Sequence, residues 1–172
     1  MNGFLIMVPL FLIRFGLMGI MSRPSLSRAA FFAPLEGKER GAGLLYQISN
    51  ILIILYPLFL KLRIEIPRSY LGLVPYLSGT AILIISTVSF ARPEQNGLNR
   101  NGIYNMSRNP MYLGYFFYFL GCSVLLQSVI MLGFLLIFQV AAHWIIRSEE
   151  RWCIRQFGEE YLNYMKKVRR YL

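Results

Sequence analysis

Cysteine and histidine are scarce, with two Cys and one His in 172 residues. Cys122 falls in an apolar run and Cys153 in the C-terminal tail, so no disulfide framework is expected. There is no C-x-x-C and no H-E-x-x-H, and no metal site is expected. Neither a Walker loop nor a G-x-G-x-x-G is present, so a Rossmann-type nucleotide site is not supported. No internal repeat or low-complexity tract occurs. Charge is short as well, at 15% of residues against 56% hydrophobic, with a mean hydropathy of +0.48. That balance excludes an ordinary soluble domain.

What is present is apolar and aromatic, with 13 Phe and 11 Tyr, as expected where rings line bilayer interfaces. Five apolar spans are predicted, over Gly3–Met21, Gly43–Leu60, Tyr70–Phe90, Pro110–Leu126 and Ser128–Ile146. Each approaches the ~20 residues that cross a bilayer as a helix. The expectation is an all-α integral membrane bundle of about five transmembrane helices forming one domain, residues 1–172. The fourth and fifth spans form a tight hairpin, and Pro75 is a candidate kink in the third. The first span reads as a retained anchor: it lacks a basic leader and carries Arg14 where a signal peptide is uninterrupted.

The net charge of +10 does not point to nucleic acid, because the cations lie between the spans. Arg23, Arg28, Lys38 and Arg40 follow the first; Lys61, Arg63 and Arg68 the second; Arg92, Arg100 and Arg108 the third. The tail adds Arg147, Arg151, Arg155, Lys166, Lys167, Arg169 and Arg170. A cytoplasmic C-terminus puts fourteen of these inside and three outside, so the N-terminus is expected outside. Membrane lipids are then the partners of the basic tail. The sequence sets no oligomeric state.

Polar residues collect at two places. Gly102–Gly114 reads G-I-Y-N-M-S-R-N-P-M-Y-L-G. Pro110 suits the first turn of a helix and Asn109 its N-cap, so Arg108 and free amides face any anion there. In the fifth span Gln139, His143, Arg147 and Glu150 fall within an arc of roughly 80° at 100° per residue, beside Glu149 and Arg151. Such a stripe suits a wet cavity, although His143 and Gln139 also suit plain interhelical bonding. Asn96–Asn101, N-G-L-N-R-N, is a loop whose amides suit a ligand or plain solvent. Tyr104 suits stacking or an interface. Arg14 needs a partner if buried, or snorkels. After the breaker Gly158, Tyr161, Leu162, Met165 and Val168 make the apolar face of an amphipathic cytoplasmic helix, an anchor or a lid.

Taken together, G-I-Y (102–104), R-N-P-M-Y-L-G (108–114), S-E-E (148–150) and F-G-E-E-Y-L-N-Y (157–164) resemble the isoprenylcysteine carboxyl methyltransferase and phospholipid methyltransferase family. The resemblance is strongest over Gly102–Arg170, with a catalytic region of about 91–170. R-P-S-L-S-R-A-A and P-L-E-G-K-E-R (23–40) resemble bacterial members, which implies a bacterial inner membrane; no chemistry attaches to them. The family implies S-adenosylmethionine in a cytoplasmic pocket and a lipid-like, membrane-partitioned substrate entering from the bilayer. Carried over residue by residue, the cofactor contacts are Tyr104, Asn109, Pro110, Met111, Tyr112, Glu149 and Glu150, with Asn96, Leu98 and Asn99 lining the cofactor as well. The residues themselves add Arg108, for the cofactor's carboxylate, and His143 on the stripe. The family implies an Arg near the acidic pair for the substrate, here Arg147; for an amine or thiol acceptor, Glu150 or His143 is the candidate base. Many members carry His where this chain has Asn109, which cannot titrate near neutral pH. The Pro usual after Val168 is also missing.

The acceptor is left open between an isoprenylcysteine-type carboxylate, a phospholipid amine and a thiol. Two other classes stay open: a nicotinamide-dependent membrane reductase, and a non-enzymatic membrane protein whose hairpin only packs.

Overall fold

The computed structural model describes residues 1–37, 39–62, 68–94 and 96–171. Lys38, Arg63 and Leu172 lie outside the described residues. Elements among them are helical apart from a single antiparallel bridge between Asn2 and Lys61. The helices are α1 (Gly3–Met21), α2 (Arg23–Ala30), α3 (Glu39–Leu55), α4 (Arg68–Phe90), α5 (Pro110–Leu125), α6 (Val129–Phe157) and α7 (Glu159–Lys167). Short 3-10 turns extend α3 over Tyr56–Phe59 and precede α5 over Gly102–Asn105. Four runs are long and apolar enough to cross a membrane: Gly3–Met21, Glu39–Phe59, Ser69–Phe90 and Val129–Phe157. Membrane insertion of this all-α bundle follows from them.

Two expected boundaries move. The fourth predicted span is a 16-residue helix, about 24 Å long and short of a full hydrocarbon core. The fifth does not stop at Ile146 but runs on as one 29-residue helix to Phe157. Gly158, at φ 55°, then turns the chain into α7. Because α5 and α6 are antiparallel around Leu126–Ser128, α6 outruns the start of α5 by about 20 Å. The α5 start is therefore a recess, with the last three turns of α6 standing beside it.

α4 and α5 lie close because of glycines on both. A Cβ at Gly79 would strike the Tyr118 backbone, and one at Gly121 the Tyr76 backbone. Gly72 faces Leu125 and Gly114 faces Leu83 in the same way, each with a neighbouring atom at 2.9 Å. In both helices the glycines are seven residues apart, two turns, so they share one face. Pro75 sits inside α4 without ending it. On the other side α3 packs on α6, with Tyr46 stacked on Phe138 at 4.9 Å. These layers share a core that includes Tyr118, Phe119, Leu135, Phe138 and Ile145.

The connections gather at the recessed end. Arg151 pairs with Glu39, and Arg155 with Glu36 at 2.6 Å, tying both glutamates to α6. Ser22 caps α2, accepting from the Ser25 amide, with Pro24 in the first turn. The opposite end holds Gly3, whose amide donates to the Leu60 carbonyl at 2.8 Å, with Leu126 beside it.

Candidate active site

The recess is the mouth of a cavity of about 960 Å³. α1, α2, α3, the 96–104 segment, the first turns of α5 and the end of α6 all contribute to its wall.

The start of α5 is held from outside the helix. The Arg108 amide donates to the Arg169 carbonyl at 2.9 Å. Asn109 Nδ2 donates to the Arg170 carbonyl at 3.1 Å, so the side chain does not cap α5 as expected. Its amide hydrogen instead goes to Ser107 Oγ at 3.2 Å. The residues after α7 thus cross over the α5 N-terminus as a strap. Arg108 fixes the strap further. Its guanidinium donates to the carbonyls of Met165 (3.0 Å) and Val168 (2.8 Å) and to Glu150 Oε1 from both Nε (3.1 Å) and Nη2 (2.7 Å). Arg170 takes the same carboxylate, with Nη2 2.7 Å from Oε2. Glu150 is 4% exposed and shared by two arginines. In that setting its own charge is fully used.

Glu149 lies one residue away, rotated by about 100° on α6. It accepts from the Tyr112 hydroxyl at 2.9 Å and joins the cavity wall. No cation pairs with it among the described residues.

The 96–104 segment closes the wall opposite. Asn96 Oδ1 accepts from the Leu98 amide at 2.9 Å, and its Nδ2 donates to Glu160 at 2.8 Å. Gly97 sits between at φ 89°, a conformation that favours glycine. Arg100 bridges Glu94 and Glu160, the second at 2.6 Å, which fastens the segment to α7. Leu98 packs with Tyr161, Tyr164 and Val168. The apolar face of α7 is therefore spent on the loop and the cavity, where Tyr161 and Tyr164 also reach the wall. Tyr104 is buried in its 3-10 turn, and its carbonyl accepts from the Tyr164 hydroxyl at 2.6 Å. Burial pushes the Tyr104 phenol well above its ordinary value. Asn99 Oδ1 is buried with no hydrogen-bond partner among the described residues.

Of the residues singled out in the sequence, Asn96, Leu98, Asn99, Tyr104, Arg108, Asn109, Met111, Tyr112, Glu149 and Glu150 share this wall. Pro110, His143 and Arg147 stand apart from it. Pro110 is the buried first residue of α5. His143 Nδ1 is 2.9 Å from the Tyr171 hydroxyl, at the end of the strap. Arg147 is exposed and lies over the Trp144 ring at 5.3 Å. The polar stripe of α6 thus divides, with Glu150 turned inward and Arg147 outward.

Sequence reasoning missed the contribution of α1 and α2. Arg14, Ser27, Arg28 and Phe32 all line the cavity. Arg28 reaches the Gly97 carbonyl at 3.1 Å and the Phe90 carbonyl at 3.0 Å, bracing the 96–104 segment from below. The signals for both were present: a cation within an apolar span, and Ser22 with Pro24 as a helix start.

Comparison with known proteins places this wall in context. The chain is 36% identical over 82 residues to the protein-S-isoprenylcysteine O-methyltransferase of Saccharomyces cerevisiae, covering 47% of this chain and 34% of that protein. It is 35% identical over 83 residues to the Xenopus laevis protein of the same name, covering 45% of this chain and 27% of that one. The matches thus span about a third or less of those relatives' own length. No solved structure gives a significant match. Residues 72–160, which carry the glycine-packed α4–α5 pair, the 96–104 segment and both Glu149 and Glu150, match the phospholipid methyltransferase family, and this chain belongs to it.

Proposed function

We propose that the cavity is the active site of a membrane methyltransferase that uses S-adenosylmethionine and a lipid-like acceptor. The observation that carries the reading is the cavity's two-sided wall. Glu149 with Tyr112 and the unpartnered Asn99 Oδ1 supply polar groups, while Leu10, Phe11, Phe15, Ile51 and Ile54 supply an apolar stretch. About 960 Å³ is room for a small cofactor together with part of an acceptor chain. Phe15 and Ile51 line the cavity and are also exposed on the apolar spans of α1 and α3, which supports a side opening toward the bilayer.

The donor set fits the cofactor. Glu149 is the anionic group for its ammonium or ribose hydroxyls, Asn99 Oδ1 is an acceptor for an N–H or O–H, and Tyr104 and Tyr112 supply aromatic wall. Bound there, S-adenosylmethionine would supply a methyl group activated on a sulfonium sulfur, with a neutral thioether as the leaving group. The protein's part is positioning and exclusion of water. Glu150, Arg108 and Arg170 hold the strap over the start of α5, and Arg100, Asn96 and Glu160 hold the loop, so the wall is set before any ligand arrives. A carboxylate acceptor requires no general base.

Isothermal titration of the purified protein with S-adenosylmethionine and with NADPH tests the reading. Saturable binding of the first and not the second is expected. Binding of NADPH alone would instead favour a reductase on this scaffold, and binding of neither would leave the cavity without a cofactor role.

A further inference from the structure

We propose that Arg14 receives the acceptor by binding an anionic oxygen group, a carboxylate or a phosphodiester, carried on a long apolar chain. The inference rests on the methyltransferase reading above and adds the residue that selects the second ligand.

Among the described residues three guanidinium groups reach the cavity wall, those of Arg14, Arg28 and Arg108. Two are already spent. Arg108 makes its four bonds to Glu150, Met165 and Val168. Arg28 donates to Gly97, Phe90 and Ser25 and lies over the Phe90 ring at 4.9 Å. Arg14 donates to one carbonyl, that of Ala29 at 2.6 Å, and otherwise only to the Met111 sulfur at 3.7 Å. A thioether is a weak acceptor, and a guanidinium has five donors in a planar fork. No carboxylate lies within ion-pair distance of Arg14 among the described residues, and Glu149 attracts it only across the cavity without a bond. It is the wall cation with capacity left.

Its position fits an acceptor rather than a structural bridge. Arg14 stands inside the apolar span of α1, in a π-helical turn over Leu12–Leu17. A cation at that depth is costly unless it faces a cavity or a partner, and π turns within α-helices recur at functional sites. Leu10, Phe11 and Phe15 flank it on α1, with Ile51 and Ile54 contributed by α3. The Met111 contact sets Arg14 beside the first turn of α5, next to Tyr112 and so to Glu149. An anionic head at Arg14 therefore has apolar wall for its chain on one side and the polar end of the cavity on the other.

The test measures binding to the full chain in detergent. The probes are N-acetyl-S-farnesylcysteine against its neutral methyl ester, and dioleoylphosphatidylglycerol against dioleoylglycerol. S-adenosylmethionine titration runs beside each. The wild type is expected to prefer at least one anionic probe over its neutral counterpart by about 10- to 100-fold. Arg14→Gln, which keeps a donor for Ala29, should bring that ratio close to one and leave the neutral probe unchanged. Arg14→Lys keeps the charge without the planar fork, and its ratio should fall between. Preference for the farnesyl carboxylate alone names a carboxylate acceptor, and preference for phosphatidylglycerol alone names a phosphodiester. Equal binding of charged and neutral probes by the wild type overturns the proposal, as does a wild-type ratio in Arg14→Gln. If the Gln variant does not fold, a wild-type ratio in Arg14→Lys overturns it in the same way. The two readings fail separately. Absence of S-adenosylmethionine binding with an Arg14-dependent preference sinks the methyltransferase reading alone, and the converse sinks the Arg14 assignment alone.

Discussion

Glu149 and Glu150 are neighbours in sequence, but their rotation on α6 sends them to different partners. Glu150 neutralises Arg108 and Arg170 and so holds the strap, whereas Glu149 faces the cavity and bonds to Tyr112. Removing one member of a buried ion network leaves the others unpaired, at a cost of roughly 3–5 kcal/mol. Glu150→Gln should therefore lower the melting temperature of the purified protein markedly. Glu149→Gln should leave melting nearly unchanged and weaken S-adenosylmethionine by about 10-fold or more, since a hydrogen bond to a charged group is worth roughly 1.5–3 kcal/mol. A Glu149 variant with wild-type affinity would remove that carboxylate from the cofactor site. Arg147→Ala, exposed and stacked on Trp144, should change neither quantity. The acidic pair was legible in the sequence because charge beside an apolar helix is rare. Which member turned inward to the arginines was not, because the strap that decides it lies across Val168–Arg170 and reaches Arg108 only through folding.

At the scale of elements, glycine sets the distance between α4 and α5. A Cβ at Gly79 would meet Tyr118 backbone, which cannot give way as a flexible side chain does. Gly79→Ala should cost roughly 1–3 kcal/mol by overpacking and lower the melting temperature. Gly133→Ala, where a Cβ meets nothing within 4 Å, should be neutral or slightly stabilising. Equal melting of the two variants would mean that the helices are free to separate. The loop over the cavity offers a second check. The hydrogen bond from Arg100 holds the Glu94 carboxyl below the usual carboxylate range. A depressed folded pKa stabilises the closed loop above the unfolded value, about 4.3, and that support is lost as pH falls through the folded value. Hydrogen-exchange protection of Gly97–Arg100 should hold from neutral pH to about 5 and decline below about pH 4. Protection that persists through that range would show Arg28 and Leu98 to be sufficient anchors. Hydropathy made the long helices readable, and Gly158 made the break before α7 readable. α2 was harder to read, because its eight residues make a short, polar run beside the apolar spans and only Ser22 and Pro24 mark its start, and its role comes from Arg28 reaching 69 residues along the chain to Gly97.

For the whole molecule, the structure separates two ends that the cation count treats as two sides of a membrane. The segments 23–37, 91–94, 96–109 and 158–171 gather at the cavity end, while Asn2, Leu60 and Leu126 meet at the other. Of the cations between spans, the described ones at the cavity end include Arg23, Arg28, Arg40, Arg92, Arg100 and Arg108 and those of the tail; Lys61 lies at the opposite end. Short connections rich in Lys and Arg stay cytoplasmic during insertion. The cavity end, and with it the C-terminus, should therefore face the cytoplasm, with Met1 outside. That orientation would give the polar half of the cavity access to soluble S-adenosylmethionine, while the apolar half stays against lipid. It is tested by fusing an alkaline phosphatase and a fluorescent reporter in turn at the C-terminus and in the Leu60–Leu62 connection. Fluorescence without phosphatase activity is expected at the C-terminus, and the reverse at the connection. Phosphatase activity at the C-terminus would place the cavity outside, away from the cytoplasmic cofactor pool, and the proposed chemistry would fail with the topology.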